Sequence, residues 1–345
     1  MAGLVAAAHA RALGGRVRLL EKLDRPGGSM RLSSGVIWRH RDLQRFRAEC
    51  PRGDPVLQRM LYERLDGDLA WLESLGAPVV EDSTANPLTT GVRFEPRGLT
   101  AALLGAAGEV ELGEPLRSAT AGTPLILATG GFQASRDLVR RYVTREADQL
   151  FLRAAPGSSG DGLRLGLAAG GELSDGMDEV YGRNMPAPPA RVTESDLVRL
   201  GQLYARHARV TNERGESYRA STWAEIDVVQ WTARQPRARA WYAVREEALA
   251  ERVRERTVAE MIEAARTAGA PVSDRDREVV VEVVAGITTT LGGLRIDERA
   301  RAGPAIFACG ADAGGIATGG YASGLAAALV FGRIAAESAL SAGLG

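Results

Sequence analysis

The residues best suited to chemistry in this chain sit in four glycine-rich stretches, and what they suit is a ligand with ribose hydroxyls and a pyrophosphate. The first stretch pairs Gly3 with Glu21, eighteen residues on, at the end of the run RVRLLE. In a dinucleotide-binding turn the third glycine lets a helix pack closely on a strand, and an acid about 20 residues further on takes the ribose hydroxyls. A glycine near a glutamate is common, so this spacing gains weight only from its neighbours in the chain. Directly after Glu21 and Lys22 comes RPGGSMRLSSG, residues 25–35, with Gly28, Ser29, Ser33, Ser34 and Gly35. Its glycines and hydroxyls supply backbone and side-chain donors where a pyrophosphate would lie. The second stretch is LATGG, with Ala128, Thr129 and Gly130, and the third is the GDG around Asp161. The fourth is ACGADAGG, with Gly310 and Asp312, followed by ATGGYASG, which leads through Ser323 into a last helix near Leu325. Any one such turn is ordinary. Four in this order point to a dinucleotide cofactor.

The elements needed to position these turns are legible in the pattern. GLVAAAHARAL, residues 3–13, reads as a helix of small residues stopped by Gly14 and Gly15, with a strand over 16–21. A longer helix is predicted from Asp54 to about Leu75, with Asp54 as N-cap, Pro55 in the first turn and Gly76 as the stop. Its Leu57, Leu61, Leu65, Leu69 and Leu72 fall on one face. PLILATGG is a short apolar strand entering a glycine turn, after which Ser135 caps another helix. LRLGLAAGG reads as a helix, and YGRNMPAPP, residues 181–189, reads as an irregular loop. AIFACGAD is a buried strand, and residues 325–340 form the final helix. The order βα-rich, mixed, then βα-rich suggests an insertion inside one α/β domain.

Composition narrows the classes. The chain has 345 residues, 45% hydrophobic and 25% charged, enough for one large domain or two medium ones. Lys+Arg and Asp+Glu are both 43, and the arginines interleave with acids, so no nucleic-acid partner is expected. Cys50 and Cys309 have no metal-ligand spacing, and His9, His40 and His207 are far apart, so neither a disulfide framework nor a metal site is expected. No apolar run reaches about 18 residues, and arginines interrupt the Ala-rich start, so neither a membrane partner nor a signal peptide is expected. Cytoplasmic localisation is the resulting expectation.

Over these same segments, together with ITTTLGGLRID and the partial TNERGESY, the chain resembles the flavoprotein family of succinate dehydrogenase, fumarate reductase and 3-ketosteroid dehydrogenase. It is most similar to the soluble, single-chain members of that family. The resemblance implies an α/β fold: a Rossmann-like FAD-binding domain, residues 1–178 and 288–345, interrupted by a small α+β capping domain, residues 179–287. It implies FAD as cofactor and hydride transfer between the flavin and a carbon of a small-molecule substrate, dehydrogenating or reducing a carbon–carbon bond. An electron donor or acceptor of unspecified kind completes the cycle. No His stands in GSMRLSSG, where covalent members attach the flavin, so the FAD is expected to be non-covalent. Asp312 would hold ribitol hydroxyls, and the helix start near Leu325 would face the flavin's pyrimidine edge. Tyr181, Arg183 and Asn184 fall in a segment that the family places over the flavin. Arg183, Tyr181 and Tyr218 are the candidates for proton transfer, while Thr289 and Thr290 either line the substrate site or shape the turn beside them.

Departures from the family pattern are equally specific. Of the G-x-G-x-x-G glycines only Gly3 is present, and the extra sheet normally found between Gly108 and Pro124 is nearly absent. The capping domain looks shortened before Val279. Thr288-Thr289-Thr290-Leu291 stands where fumarate reductases place His, ATGGYASG lacks their carboxylate-binding Arg, and Ser221 replaces an expected acid. Fumarate-type chemistry is therefore not expected. Two alternatives stay open: a flavin-binding protein without turnover, and a fragment whose missing strand comes from elsewhere. Because the first strand of a doubly wound sheet is central, weak FAD binding is expected unless a strand and Gly-x-Gly precede Met1.

Overall fold

A computed structural model describes residues 1–84, 86–120, 122–220 and 227–342; Ser221 lies outside the described residues. The chain forms two compact units: Met1–Ser135 with Ala154–Glu179 and Thr289–Gly345, and Arg136–Arg153 with Val180–Thr288. The second unit thus takes in residues 136–153, which the sequence pattern alone groups with the cofactor domain.

The first unit opens with α1 (Ala2–Ala12), whose alanines allow close packing on their neighbours. It continues through β1 (Leu20–Glu21), β2 (Val36–His40) and α2 (Leu43–Glu49) to α3 (Pro55–Ser74). The Asp54 carboxylate accepts from Val56 N and Leu57 N, capping α3 as its sequence predicts, and the five leucines of its apolar face are all buried. Next come β3 (Val79–Glu81), β4 (Thr89–Phe94), α4 (Pro96–Ala107), β5 (Glu111–Leu112) and β6 (Leu125–Leu127). Strands β2, β4 and β3 make an antiparallel sheet, and β1 pairs in parallel with β5.

The chain then enters the second unit for α5 (Arg136–Tyr142) and β7 (Phe151–Leu152), and returns to the first for α6 (Asp161–Ala168). A second stay follows: β8 (Val180–Pro186), β9 (Arg209–Thr211), α7 (Asp227–Ala233), β10 (Arg239–Arg245), β11 (Arg252–Val253), β12 (Arg256–Thr257), α8 (Val258–Thr267) and β13 (Val272–Arg275). It ends in the long β14 (Glu278–Thr290), which pairs with β7, β8, β10 and β13. The apolar faces of β10, β14 and α8 meet in one core around Tyr204 and Tyr242. Strand β8 corrects the loop expected over 181–189. Gly182, Asn184 and Pro186 are poor strand formers, but pairing with β14 overrides local preference.

Back in the first unit, β15 (Arg301–Gly303), β16 (Ile306–Ala308) and β6 form a second sheet, with β16 parallel to β6, before α9 (Gly324–Ala342). Among the described residues no strand pairing joins β1–β5 to β15–β16–β6. By length and composition α9 could cross a bilayer, yet more than half of it is buried and it packs on α1 and α3 as a core helix.

Candidate active site

The glycine-rich turns of the first unit meet at the ends of its parallel strands. Asp312, in the turn that follows β16 and 1% exposed, is the partner of the turn after β6. Its carboxylate accepts from the Thr129 backbone N–H, from Thr129 Oγ1 at 3.0 Å and from Gly131 N at 3.1 Å. Burial raises its pKa above the usual carboxylate range, against these bonds, which favour the charged form. Thr129 Oγ1 in turn accepts from Gly162 N at 2.9 Å, so the turn after β6 is tied both to β16 and to the start of α6. Asp312, expected to meet ribitol hydroxyls, has its carboxylate engaged with the protein itself.

Next to this clamp the chain leaves a polar cradle. Gly130 and Gly131 both have positive φ, 94° and 84°. A Cβ on Gly131 would lie 2.7 Å from Thr290 Oγ1 and 2.8 Å from Gln133 Oε1, and one on Gly130 would lie 2.9 Å from Ser158 Oγ. Thr290 Oγ1 and Gln133 Oε1 are buried and have no hydrogen-bond partner among the described residues. Unsatisfied buried groups of this kind cost free energy unless a ligand or water meets them. Buried hydroxyl and amide oxygens left without a partner suit a hydroxyl-rich ligand, so these residues fit the sugar portions of FAD. Ala128 immediately precedes this turn, and Gly310, opposite, abuts Ala2 of α1.

The remaining cofactor candidates fall around the same strand ends. Glu21, at the end of β1, accepts from Leu23 N at 3.0 Å. Lys22 donates to Ser159 Oγ at 2.7 Å and to Asp161 Oδ2 at 2.5 Å, so Lys22 and Asp161 pair with each other at the start of α6. Ser29 Oγ accepts from Ala155 N at 3.0 Å, and Ser33 Oγ accepts from Gly35 N at 3.0 Å. Ser34 is half-buried beside them, and a Cβ on Gly28 would point into open space. Gly3 lies where α1 rests on Leu19 and Ala128, but its nearest Cβ contact would be 3.4 Å, ordinary van der Waals distance. An alanine would fit there, so close packing does not require this glycine. Ser323 Oγ caps α9 by accepting from Ala326 N at 3.2 Å, which places Leu325, half-buried, in the first turn of that helix.

In the second unit, Tyr181 and Arg183 lie two residues apart on β8, so they share a face, with the Arg183 guanidinium carbon 5.6 Å from the Tyr181 ring centre. Asn184 points the other way and is fully buried, donating to Thr232 Oγ1 and Tyr242 Oη; it belongs to the core. Tyr218 packs on Trp231 against the same core.

Sequence reasoning missed Gln133, Ser158, Arg52 and Glu179. Glu179, 2% exposed, pairs with Arg52 and accepts from Gly319 N at 2.7 Å, pinning the last glycine loop. Gln133 was within reach, being two residues past the Gly-Gly turn. Glu179 carried no such signal.

The model of the FAD binding domain family matches residues 95–325, about two thirds of the chain and all of the Thr129–Asp312 clamp. The chain belongs to the FAD binding domain family. FAD is accordingly its cofactor. Comparison with curated proteins finds no match. Among solved structures, the open form of a flavocytochrome c3 fumarate reductase is 19% identical, with a TM-score of 0.72 over 100% of this chain and 77% of that one. The 3-ketosteroid-Δ4-(5α)-dehydrogenase from Rhodococcus jostii RHA1 is 18% identical, with a TM-score of 0.71 over 98% and 94% of the two chains. The 3-ketosteroid Δ1-dehydrogenase from Sterolibacterium denitrificans is 14% identical, with a TM-score of 0.70 over 99% and 98%. At these identities the three structures establish the FAD-binding fold.

Replacing Thr129 by Val removes both the hydroxyl bond to Asp312 and the acceptor for Gly162 N. Urea unfolding should show a loss of roughly 1–3 kcal/mol, while Thr129→Ser should lose less. An unchanged midpoint for Thr129→Val would show that the clamp does not hold the turn.

Proposed function

We propose that this protein transfers a hydride between flavin N5 and a carbon of a small organic substrate, dehydrogenating or reducing a carbon–carbon bond. The observation that carries the reading is the buried polar cradle at Gly130–Gly131, in a chain of the FAD binding domain family. In this reading Asp312 and Thr129 keep the cradle open, with Gln133 and Thr290 offering it their oxygens. The first turn of α9, with Leu325, presents the positive end of the helix dipole to developing negative charge. Tyr181 holds the proton that accompanies the hydride, and Arg183 orients and supports it. No His stands in GSMRLSSG to form a flavin bond, so FAD is held without a covalent link.

A dicarboxylate of the succinate or fumarate kind needs cationic clamps such as bidentate Arg, and the last glycine loop, ATGGYASG, offers none. Two arginines of the first unit bear on this. The charge of Arg52 is paired with Glu179, and Arg333, in α9, pairs with Asp68 and lies over Trp71. Enoates with one activating group, and ketosteroids, are the better candidates.

A screen of enoates and ketosteroids with an artificial electron donor or acceptor should find turnover, and Tyr181→Phe should lower it by about 10²–10⁴-fold with flavin content unchanged. Full turnover by Tyr181→Phe, or steady reduction of fumarate by the native protein, would contradict the assignment. Acid denaturation should release FAD intact; fluorescence that stays with the polypeptide on a denaturing gel would disprove the non-covalent link.

A further inference from the structure

The surroundings of Tyr181 contain more positive charge than Arg183 alone supplies. Strand β7 pairs in parallel with β14, Phe151 opposite Gly286 and Leu152 opposite Ile287, and so delivers Arg153 to the side of β14. A Cβ on Gly286 would come within 2.7 Å of Arg153 Cδ and 2.5 Å of the Arg183 carbonyl oxygen. The bare α-carbon is what lets the Arg153 side chain lie against β14 next to β8. Its guanidinium is then fixed by donating to Thr288 Oγ1 and to the Leu197 carbonyl, each at 2.7 Å. The segment 197–201 gathers further arginines: Gly201 lies against Arg183, and the Arg199 carbonyl accepts from Arg256 of the β11–β12 hairpin. The turn of that hairpin carries Arg254, in a left-handed conformation at φ 59°.

Burial pushes the Tyr181 phenol up, but Arg183, Arg153 and Arg254 together outweigh burial and set it below its ordinary value. These three guanidiniums, from β8, the end of β7 and the hairpin, are the charges acting on the hydroxyl. Thr288 of β14, which accepts from Arg153, is uncharged.

We propose that Arg153, laid over Gly286 and anchored by Thr288, is a positioning residue for proton transfer that holds a fixed positive charge beside Tyr181. The proposal rests on the reading of Tyr181 as the proton-transfer group. In the reductive direction the Tyr181 O–H bond breaks, its electron pair stays on oxygen, and the proton goes to one substrate carbon as hydride reaches its neighbour. Dehydrogenation runs the same exchange in reverse. Arg153 touches neither carbon; it makes the phenolate attainable.

Tyrosine-labelled NMR of the full chain, with Tyr181→Phe identifying the resonance, follows this ionisation directly. In the native protein Tyr181 should titrate below the other tyrosines. Arg153→Met should move its midpoint up by roughly one unit or more, and Arg153→Lys should restore most of the shift. A Tyr181 midpoint unmoved in a cooperatively melting Arg153→Met, or no better restored by Lys than by Met, overturns the proposal. Should Arg153→Met fail to fold, Thr288→Val, which keeps the side-chain shape but removes the anchor, carries the same test: an upward midpoint supports the proposal and an unchanged one overturns it. The turnover of Tyr181→Phe separates the two readings. An Arg153-dependent midpoint with undiminished turnover overturns the role of Tyr181, whereas lost turnover with an Arg153-independent midpoint overturns only that of Arg153.

Discussion

The carboxylate of Asp312 lies in the turn that follows β16 with almost no solvent around it, and charge in such a place is tolerated only where hydrogen bonds replace water. The backbone N–H groups of Thr129 and Gly131 and the Thr129 hydroxyl provide them. One buried acceptor thereby sets the course of the turn after β6, and through Thr129 and Gly162 it also sets the start of α6. The left-handed glycines at 130 and 131 follow from that course, and the oxygens of Gln133, Ser158 and Thr290 are arranged around them. Were Asp312 to lose its partners, the turn would lose its reason to bend where it does.

The second unit solves a different electrostatic problem. A phenol taken out of water holds its proton more tightly, yet three guanidiniums around Tyr181 reverse that tendency. Their placement depends on backbone features: a two-residue strand that aims Arg153, a glycine in β14 that makes room for it, and a hairpin turn that carries Arg254. Acidic side chains elsewhere in this unit pair with other arginines, as Glu278 does with Arg209 and Glu282 with Arg239.

What was legible in the sequence was what local physics writes there. Glycine-rich turns mark positions that need positive φ or close approach, and those at 130–131 and 310 adopt positive φ. The cap, the proline and the leucine spacing of α3 were equally plain, since each acts within a few residues. Strand β8 was not, because its residues prefer loops and only β14 makes them a strand. Asn184 looked like a ligand contact and is a core residue, because the alternation of β8 turns it toward Thr232 and Tyr242. The bond between Asp312 and Thr129 could not be read locally either, because the two residues lie 183 apart in sequence. Arg153 stood out in no local pattern, one arginine among many.

The central claim is that the cradle at Gly130–Gly131 receives the FAD, and titration of flavin-free protein with FAD, followed by flavin fluorescence, tests it most directly. Gly131→Ala puts a methyl group where Thr290 Oγ1 and Gln133 Oε1 stand within 2.8 Å, at a φ that alanine resists. The account predicts FAD binding weakened by at least about tenfold, a loss of about 1.4 kcal/mol, in a variant that still melts cooperatively. Equal affinity for FAD in the native protein and in Gly131→Ala would contradict it.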